Sequence, residues 1–217
     1  MTPWNIVGMA KLKGLDVIAV TDHNSALNLP QTMKAAQALT MEVIPGLEVT
    51  SREEVHVLAY FLELAQALAF GELIDAHLPE VRNRPALFGH QMIIGNEDAQ
   101  IDEKEKLLIA ATDFGTDALM DKIVEYGGVA VPAHINRGSN GMLGALGMMP
   151  MVSRCPIVEV YRGTACPAAA TEGRFVLNAS DAHRLGDISE PEFLVEAEAK
   201  TAQAIFSALR LEAIKRK

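Results

Sequence analysis

Positive charge is scarce in this 217-residue chain. Lys and Arg number 19 against 28 Asp and Glu, for a net charge of −9. That balance argues against an extended phosphate-neutralising surface of the kind that clamps DNA. It leaves room for a site that binds one phosphate, and for metal ions that hold acidic side chains together. Cysteine is scarcer still: Cys155 and Cys166 are the only two, at a spacing that matches no zinc motif. Sequence does not exclude a disulfide between them, but two reduced thiols are expected. No stretch reaches the roughly eighteen unbroken apolar residues of a membrane span. The opening "MTPWNIVGMAKLKG" lacks a basic segment followed by an apolar core, so no signal peptide is expected. These absences point to a soluble, cytoplasmic protein. The length suits one domain, 1–217, and 49% apolar residues are enough for a sizeable core.

Apolar spacing and turn residues divide the chain into alternating elements. Pro3 suits the first position of a helix, Thr2 a cap and Gly14 a stop, with Ile6, Val7, Met9, Ala10 and Leu12 as the apolar stripe. "LDVIAV" is then a short β-branched run without alternation, which fits a strand covered on both faces. A helix "LPQTMKAAQAL", strands "EVIPGLEVT" and "VHVLAYF", and a helix "LAQALAFGELIDAHL" follow, the two strands close enough in sequence for a hairpin. Residues 79–105, with Pro79, Pro85, Gly89, Gly95 and an acidic stretch, read as a small insertion or irregular segment. Beyond it, "TDALMDKIVEYGG" predicts a helix capped by Thr116 and stopped by Gly127. "VAVPAH", "CPIVEVYRG", "GRFVLNASDAH" and "EFLVEA" predict strands, and Thr201 caps a terminal helix with basic residues in its last turn. Strands alternating with helices imply βα units and a parallel sheet, either a barrel or a doubly wound sheet.

The chemically active side chains collect where these strands end. Asp22 and His23 close "VIAV", Glu48 lies near the end of "EVIPGLEVT", His56 begins the next strand, His134 follows "VAVPA", and Asp181 and His183 follow "FVLNAS". In a βα barrel the carboxyl ends of the strands converge on one face, so residues far apart in sequence meet there. Imidazoles and carboxylates are ligands for zinc, manganese and iron. Burying so many acids and histidines without a cation would cost several kcal/mol per unpaired charge. A carboxylate can join two metals through its two oxygens and an imidazole cannot, which makes Glu48 the best candidate for a bridge. Taken singly, each residue has an ordinary alternative: a structural histidine, an Asp-His-Asn-Ser turn, a Glu48 or Asp181 at a helix start. The recurrence at separate strand ends favours metal. His77 and His90 lie outside the pattern and read as structural.

The segments "GLDVIAVTDHNS", "VIPGLEVTSREEVHVLAYF", "VAVPAHINR" and "NASDAH" resemble, in order, the successive motifs of the PHP (polymerase and histidinol phosphatase) domain family. The resemblance runs from Thr2 to about Leu209, and "VRNRPALFGHQMI" is similar to a bacterial subgroup of metal-dependent phosphoesterases. It implies an α/β fold, a distorted (β/α)7 TIM-like barrel. It also implies up to three Mn, Fe or Zn ions at the strand ends and phosphoester hydrolysis by a metal-activated water. On that basis Glu48 bridges two metals, His56 and His134 complete the second, Asp181 binds the first, and His23 and His183 hold the third. Asp22, His134 and Arg137 are the catalytic candidates, Asp22 orienting the third site and Arg137 holding substrate phosphate through its paired donors.

One departure bears on all of this. PHP domains normally open with a strand ending in Asp-Leu-His-x-His, whose histidines ligate the first metal, and here Met1 is followed directly by the Thr-Pro that comes after it. Either the true start lies upstream and supplies them, or the chain is a natural truncation. In the second case the barrel is expected to be incomplete at its first strand, with two exposed sheet edges and a metal site only partly filled, the second metal best preserved. The leading expectation is a phosphoesterase acting on a small phosphorylated substrate of nucleotide or sugar phosphate type. An oligonucleotide is less favoured, and no membrane partner is expected. The alternatives are a non-catalytic metal-binding or regulatory module and, less favoured, an amidohydrolase-type enzyme, for which no strand-end lysine is evident.

Overall fold

The computed structural model describes residues 1–216. In chain order the principal elements are α1 (Pro3–Leu12), β1 (Val17–His23), α2 (Leu29–Leu39), β2 (Glu42–Thr50), β3 (His56–Tyr60) and α3 (Leu64–His77). A short α4 (Pro85–Phe88) and the strands β4 (Met92–Ile94) and β5 (Gln100–Glu103) come next. They are followed by α5 (Thr116–Glu125), β6 (Val129–Pro132), α6 (Met142–Leu146), β7 (Ile157–Val160), α7 (Ala168–Thr171), β8 (Phe175–Asn178) and α8 (Ala202–Lys215).

The main sheet has the order β1-β2-β3-β6. β1 runs parallel to β2, in a register that places His23 opposite Glu48. β2 and β3 form the hairpin that their closeness in sequence permits, with Thr50 opposite His56, and β3 is antiparallel to β6. β7 and β8 make a separate parallel pair, tied to the exit of β6 by the Ile135 N–H, which donates to the Glu159 carbonyl at 2.9 Å. β2 and β3 are buried on both faces. Val43, Leu47, Val49, Val57 and Ala59 pack with Phe61, Phe70 and Ile74 under the helices, and Ile44, Leu58 and Tyr60 pack with Phe206 and Leu209 of α8. This accounts for the unbroken apolar runs of these strands. Gly46 lets them close up, because a Cβ there would stand 2.8 Å from the Ala59 carbonyl oxygen and 2.9 Å from Thr21 Cγ2.

The expected (β/α)7 barrel is not closed. Among the described residues no strand joins β1 to β8, and "EFLVEA" (192–197) is irregular instead of a strand. A strand is held by the ladder a neighbour offers, and neither free edge reaches that segment. An open cavity of about 1150 Å³ lies there instead, lined by all of β1, by Leu177 and Asn178, and by residues 188–200. The sheet is also mixed, not wholly parallel, since β3 runs against both of its neighbours.

The helix ends differ in two places from the sequence reading. Thr2 makes no capping bond and instead donates its hydroxyl to Asp98. Thr116 is the first helical residue and not the cap; its N–H donates to Glu53 Oε2 at 2.7 Å, so a carboxylate from another segment does the capping. Thr201 caps α8, accepting from Ala204 N at 3.2 Å. Gly14 and Gly127 end their helices at φ +78° and +83°. Residues 79–105 carry α4 and the β4–β5 hairpin. Cys155 and Cys166 are both free thiols, and no described helix is long and apolar enough to cross a membrane.

Candidate metal centre at the strand ends

Glu48 is the centre of the cluster. It follows Ile44 and Gly46 on one face of β2, is 5% exposed, and takes two imidazole hydrogen bonds on the same oxygen. His56 Nδ1 donates to Oε1 at 2.8 Å and His134 Nε2 donates to it at 3.1 Å. His23 Nδ1 lies 3.9 Å from Oε2. The rings of His23 and His56 are 5.0 Å apart, those of His56 and His134 are 5.3 Å apart, and those of His23 and His183 are 6.1 Å apart. One donor atom each from His23, Glu48 and His56 lies within 4.8 Å of the others. The pairings of β1, β2 and β3 bring this trio together, although the residues span 34 positions of sequence from 23 to 56.

The electrostatics follow from burial and from this crowding. Burial would raise the Glu48 carboxyl, but the bonds from His134 and His56 and the charges of His23 and His56 outweigh it and hold the carboxyl well below its usual range. Burial pushes His23 below the ordinary histidine value, helped by the His56 and His183 rings and opposed by Glu48. Burial likewise acts to lower His134, yet its bond to Glu48 and the negative charges of Glu48, Asp181 and Glu159 carry it upward. Asp22 is raised by burial, partly offset by a hydrogen bond from Asn28 Nδ2 at 3.2 Å.

The donor set fits a divalent cation. The buried Nδ1 atoms of His23 and His134 have no hydrogen-bond partner in the structure, an arrangement that is costly in a dry interior and is relieved by a metal. Burial holds His23 toward the neutral form beside an ionised Glu48, the protonation state that ligation requires, whereas His134 is held toward its charged form by its acidic neighbours.

The remaining sequence candidates surround this cluster. Asp22, His23, Glu48, Asp181 and His183 line the cavity beside β1. Asp181 forms an ion pair with Arg137, and the His183 ring donates to the Asp181 carbonyl at 2.9 Å, with its side chain 63% exposed. Arg137 therefore faces a carboxylate, and its guanidinium lies 4.6 Å from the centroid of the Tyr161 ring. His77 and His90 are remote from the cluster, paired with Asp113 and Glu103.

Three of the site's non-glycine residues have left-handed backbones: Asn24 at φ 49°, His134 at 30° and Asp181 at 46°. Such conformations are uncommon, are tolerated best by Asn, Asp and His, and concentrate at functional sites.

Sequence reasoning missed the supports of the cluster. Glu159 is a buried carboxyl in β7 that lines the same cavity. Burial and the nearby Glu48 charge push it up to about 7. Its signal was an acid inside the apolar run "IVEVY". Asn24 fastens the β1 exit to the 79–110 segment, donating to the carbonyls of Leu108 and Ala110 at 2.7 and 2.9 Å and accepting from Thr50 N at 3.0 Å.

Imidazoles and carboxylates gathered at sheet ends, with unpartnered ring nitrogens, make a candidate divalent-metal site. The sequence matches the family model of the PHP domain over residues 1–135, and the chain belongs to that family. An uncharacterised protein of Methanocaldococcus jannaschii is 39% identical over 51 residues, 24% of this chain and 30% of that protein. A lesion-specific endonuclease, EndoQ of Pyrococcus furiosus, superposes with TM-score 0.63 at 19% identity, covering 97% of this chain and 51% of the endonuclease. A candidate metal-dependent phosphoesterase of Bifidobacterium adolescentis superposes with TM-score 0.57 at 18% identity, covering 99% and 91%. The chain thus spans under a third of the archaeal relative and about half of EndoQ.

Proposed function

We propose that the chain is a metal-dependent phosphoesterase that hydrolyses a small phosphorylated molecule of nucleotide or sugar phosphate type, with Mn, Fe or Zn as its cofactor. The observation that carries this reading is Glu48, a buried carboxylate shared by three imidazoles in a member of the PHP family. His23, Glu48 and His56 offer the tightest donor set. The grouping differs from the one the family resemblance implies, which pairs His23 with His183. His134 enters through its bond to Glu48, and Asp181 and His183 hold the outer part of the site. A divalent cation bound there supplies Lewis acidity toward a phosphoryl oxygen and lowers the pKa of water.

The chain's own groups do the rest. Arg137 binds substrate phosphate with its paired donors, its plane set by the Tyr161 ring beneath it. Asp22 orients the entrance beside His23. The net charge of −9 favours a compact substrate over a long polyanion. A second reading, cleavage of a short oligonucleotide, is favoured by the fold shared with a lesion-specific endonuclease.

Release of phenolate from an aryl phosphate, with EDTA and then with added Mn²⁺, tests the proposal. Turnover should require metal and fall to background in Glu48→Ala while the circular dichroism stays native. Metal-independent or Glu48-independent turnover refutes it. Parallel assays on a sugar phosphate, a nucleoside monophosphate and a short oligonucleotide separate the two readings.

A further inference from the structure

The buried carboxyl of Glu159 has no place in the chemistry above. It lies in β7, 4% exposed, and its Oε1 accepts the His134 backbone N–H at 3.3 Å. Among the described residues this is the one acceptor that N–H has. The same stretch of β7 and its exit hold the following residues in turn. The Glu159 carbonyl accepts from Ile135 N at 2.9 Å. The Asn136 side chain accepts from Tyr161 N at 2.8 Å and donates to the carbonyls of Tyr161 and Thr164 at 2.8 and 2.6 Å. Residues 134–136 are thus fastened one by one. The fastening begins where the backbone is least relaxed, at His134 with φ 30°. An unusual backbone conformation persists only where its surroundings over-determine it.

We propose that Glu159 is a positioning residue: through the His134 amide it locks the left-handed turn that aims the His134 ring at Glu48. It touches neither metal nor substrate in this role. It acts as an acceptor, not as a charge, so a side chain of the same length with a neutral carbonyl does the same work. The inference rests on the metal reading of the site only in so far as the aim of His134 matters for ligation.

Two measurements test it on the full chain. In metal-free protein, amide hydrogen exchange at His134, followed by NMR, should accelerate about tenfold or more in Glu159→Ala and stay within about threefold of wild type in Glu159→Gln. Mn²⁺ affinity, from water-proton relaxation, should weaken about 10- to 100-fold in Glu159→Ala and be largely restored in Glu159→Gln, as for groups that orient ligands from behind. Should the alanine variant fail to fold, Glu159→Asp serves, since it keeps the charge but withdraws the carboxylate by one methylene. It should then behave as the alanine variant does. Unchanged exchange at His134 in the alanine or aspartate variant overturns the proposal, and so does a glutamine variant as impaired as alanine. If wild-type protein binds no Mn²⁺, the metal reading fails on its own, and the exchange data still decide the role of Glu159.

Discussion

The carboxyl of Glu159 should make the metal-free protein less stable as pH rises, and Glu159→Gln should remove that weakness. In the folded chain the group is pushed up to about 7 from an ordinary 4.5, first by burial and then by the charge of Glu48. The sign follows from proton counting. Between pH 4.5 and 7 the folded state holds a proton that the unfolded chain has released, so stability falls as pH rises through that window. Below 4.5 both states are protonated and the group contributes no penalty. At about 1.36 kcal/mol per pH unit, the full loss is about 3 kcal/mol by pH 8. For a chain of this size that is a melting temperature lower by about 6–12 °C. Gln cannot ionise but keeps the acceptor for His134. Thermal unfolding of both proteins in EDTA, from pH 4.5 to 8, isolates the effect, because every other titrating group is common to the two. The stability difference should be near zero at the acid end and should grow to about 3 kcal/mol in favour of Gln. A difference that stays flat with pH refutes the reasoning. Saturating Mn²⁺ should narrow the gap, since a cation beside Glu48 cancels the charge that helps to raise Glu159.

Three other substitutions probe the frame around the site. Gly46→Ala places a methyl against the Ala59 carbonyl and Thr21 between β1, β2 and β3, and should cost about 1–3 kcal/mol, seen as a lower urea midpoint at unchanged m-value. Asn24→Ala strips partners from Leu108, Ala110 and Thr50. It should cost about 2–4 kcal/mol and speed proteolytic nicking of the 79–110 segment; nicking at the wild-type rate would contradict the tethering role. Arg137→Lys keeps the charge but loses the paired donors, so inhibition by inorganic phosphate should weaken about tenfold, with Mn²⁺ affinity held near wild type.

Much of the candidate site was legible because it sits at strand ends, where an abrupt change from β-branched residues to Asp, His or Glu stands out in sequence. "VIAVTDH" and "VAVPAH" are of this kind. Glu48 was visible as an acid in an otherwise apolar strand. Glu159 shows the same signal in "IVEVY", but its partner is a backbone N–H, which leaves no mark on sequence. The direction of β3 was open from its closeness to β2, whereas its antiparallel pairing to β6 depends on a non-local contact. The closed barrel was an inference from family resemblance, and "EFLVEA" has strand composition without a ladder to join. The caps at Thr2 and Thr116 failed because acids distant in sequence, Asp98 and Glu53, took over the local bonds.

The left-handed backbones at His134 and Asp181 set a relaxed main chain against the proposed metal site. At either position glycine would relax the main chain, yet it would delete a side chain the proposed site needs. On the metal reading, His and Asp at these two turns are a molecule giving up backbone ease to keep its ligands.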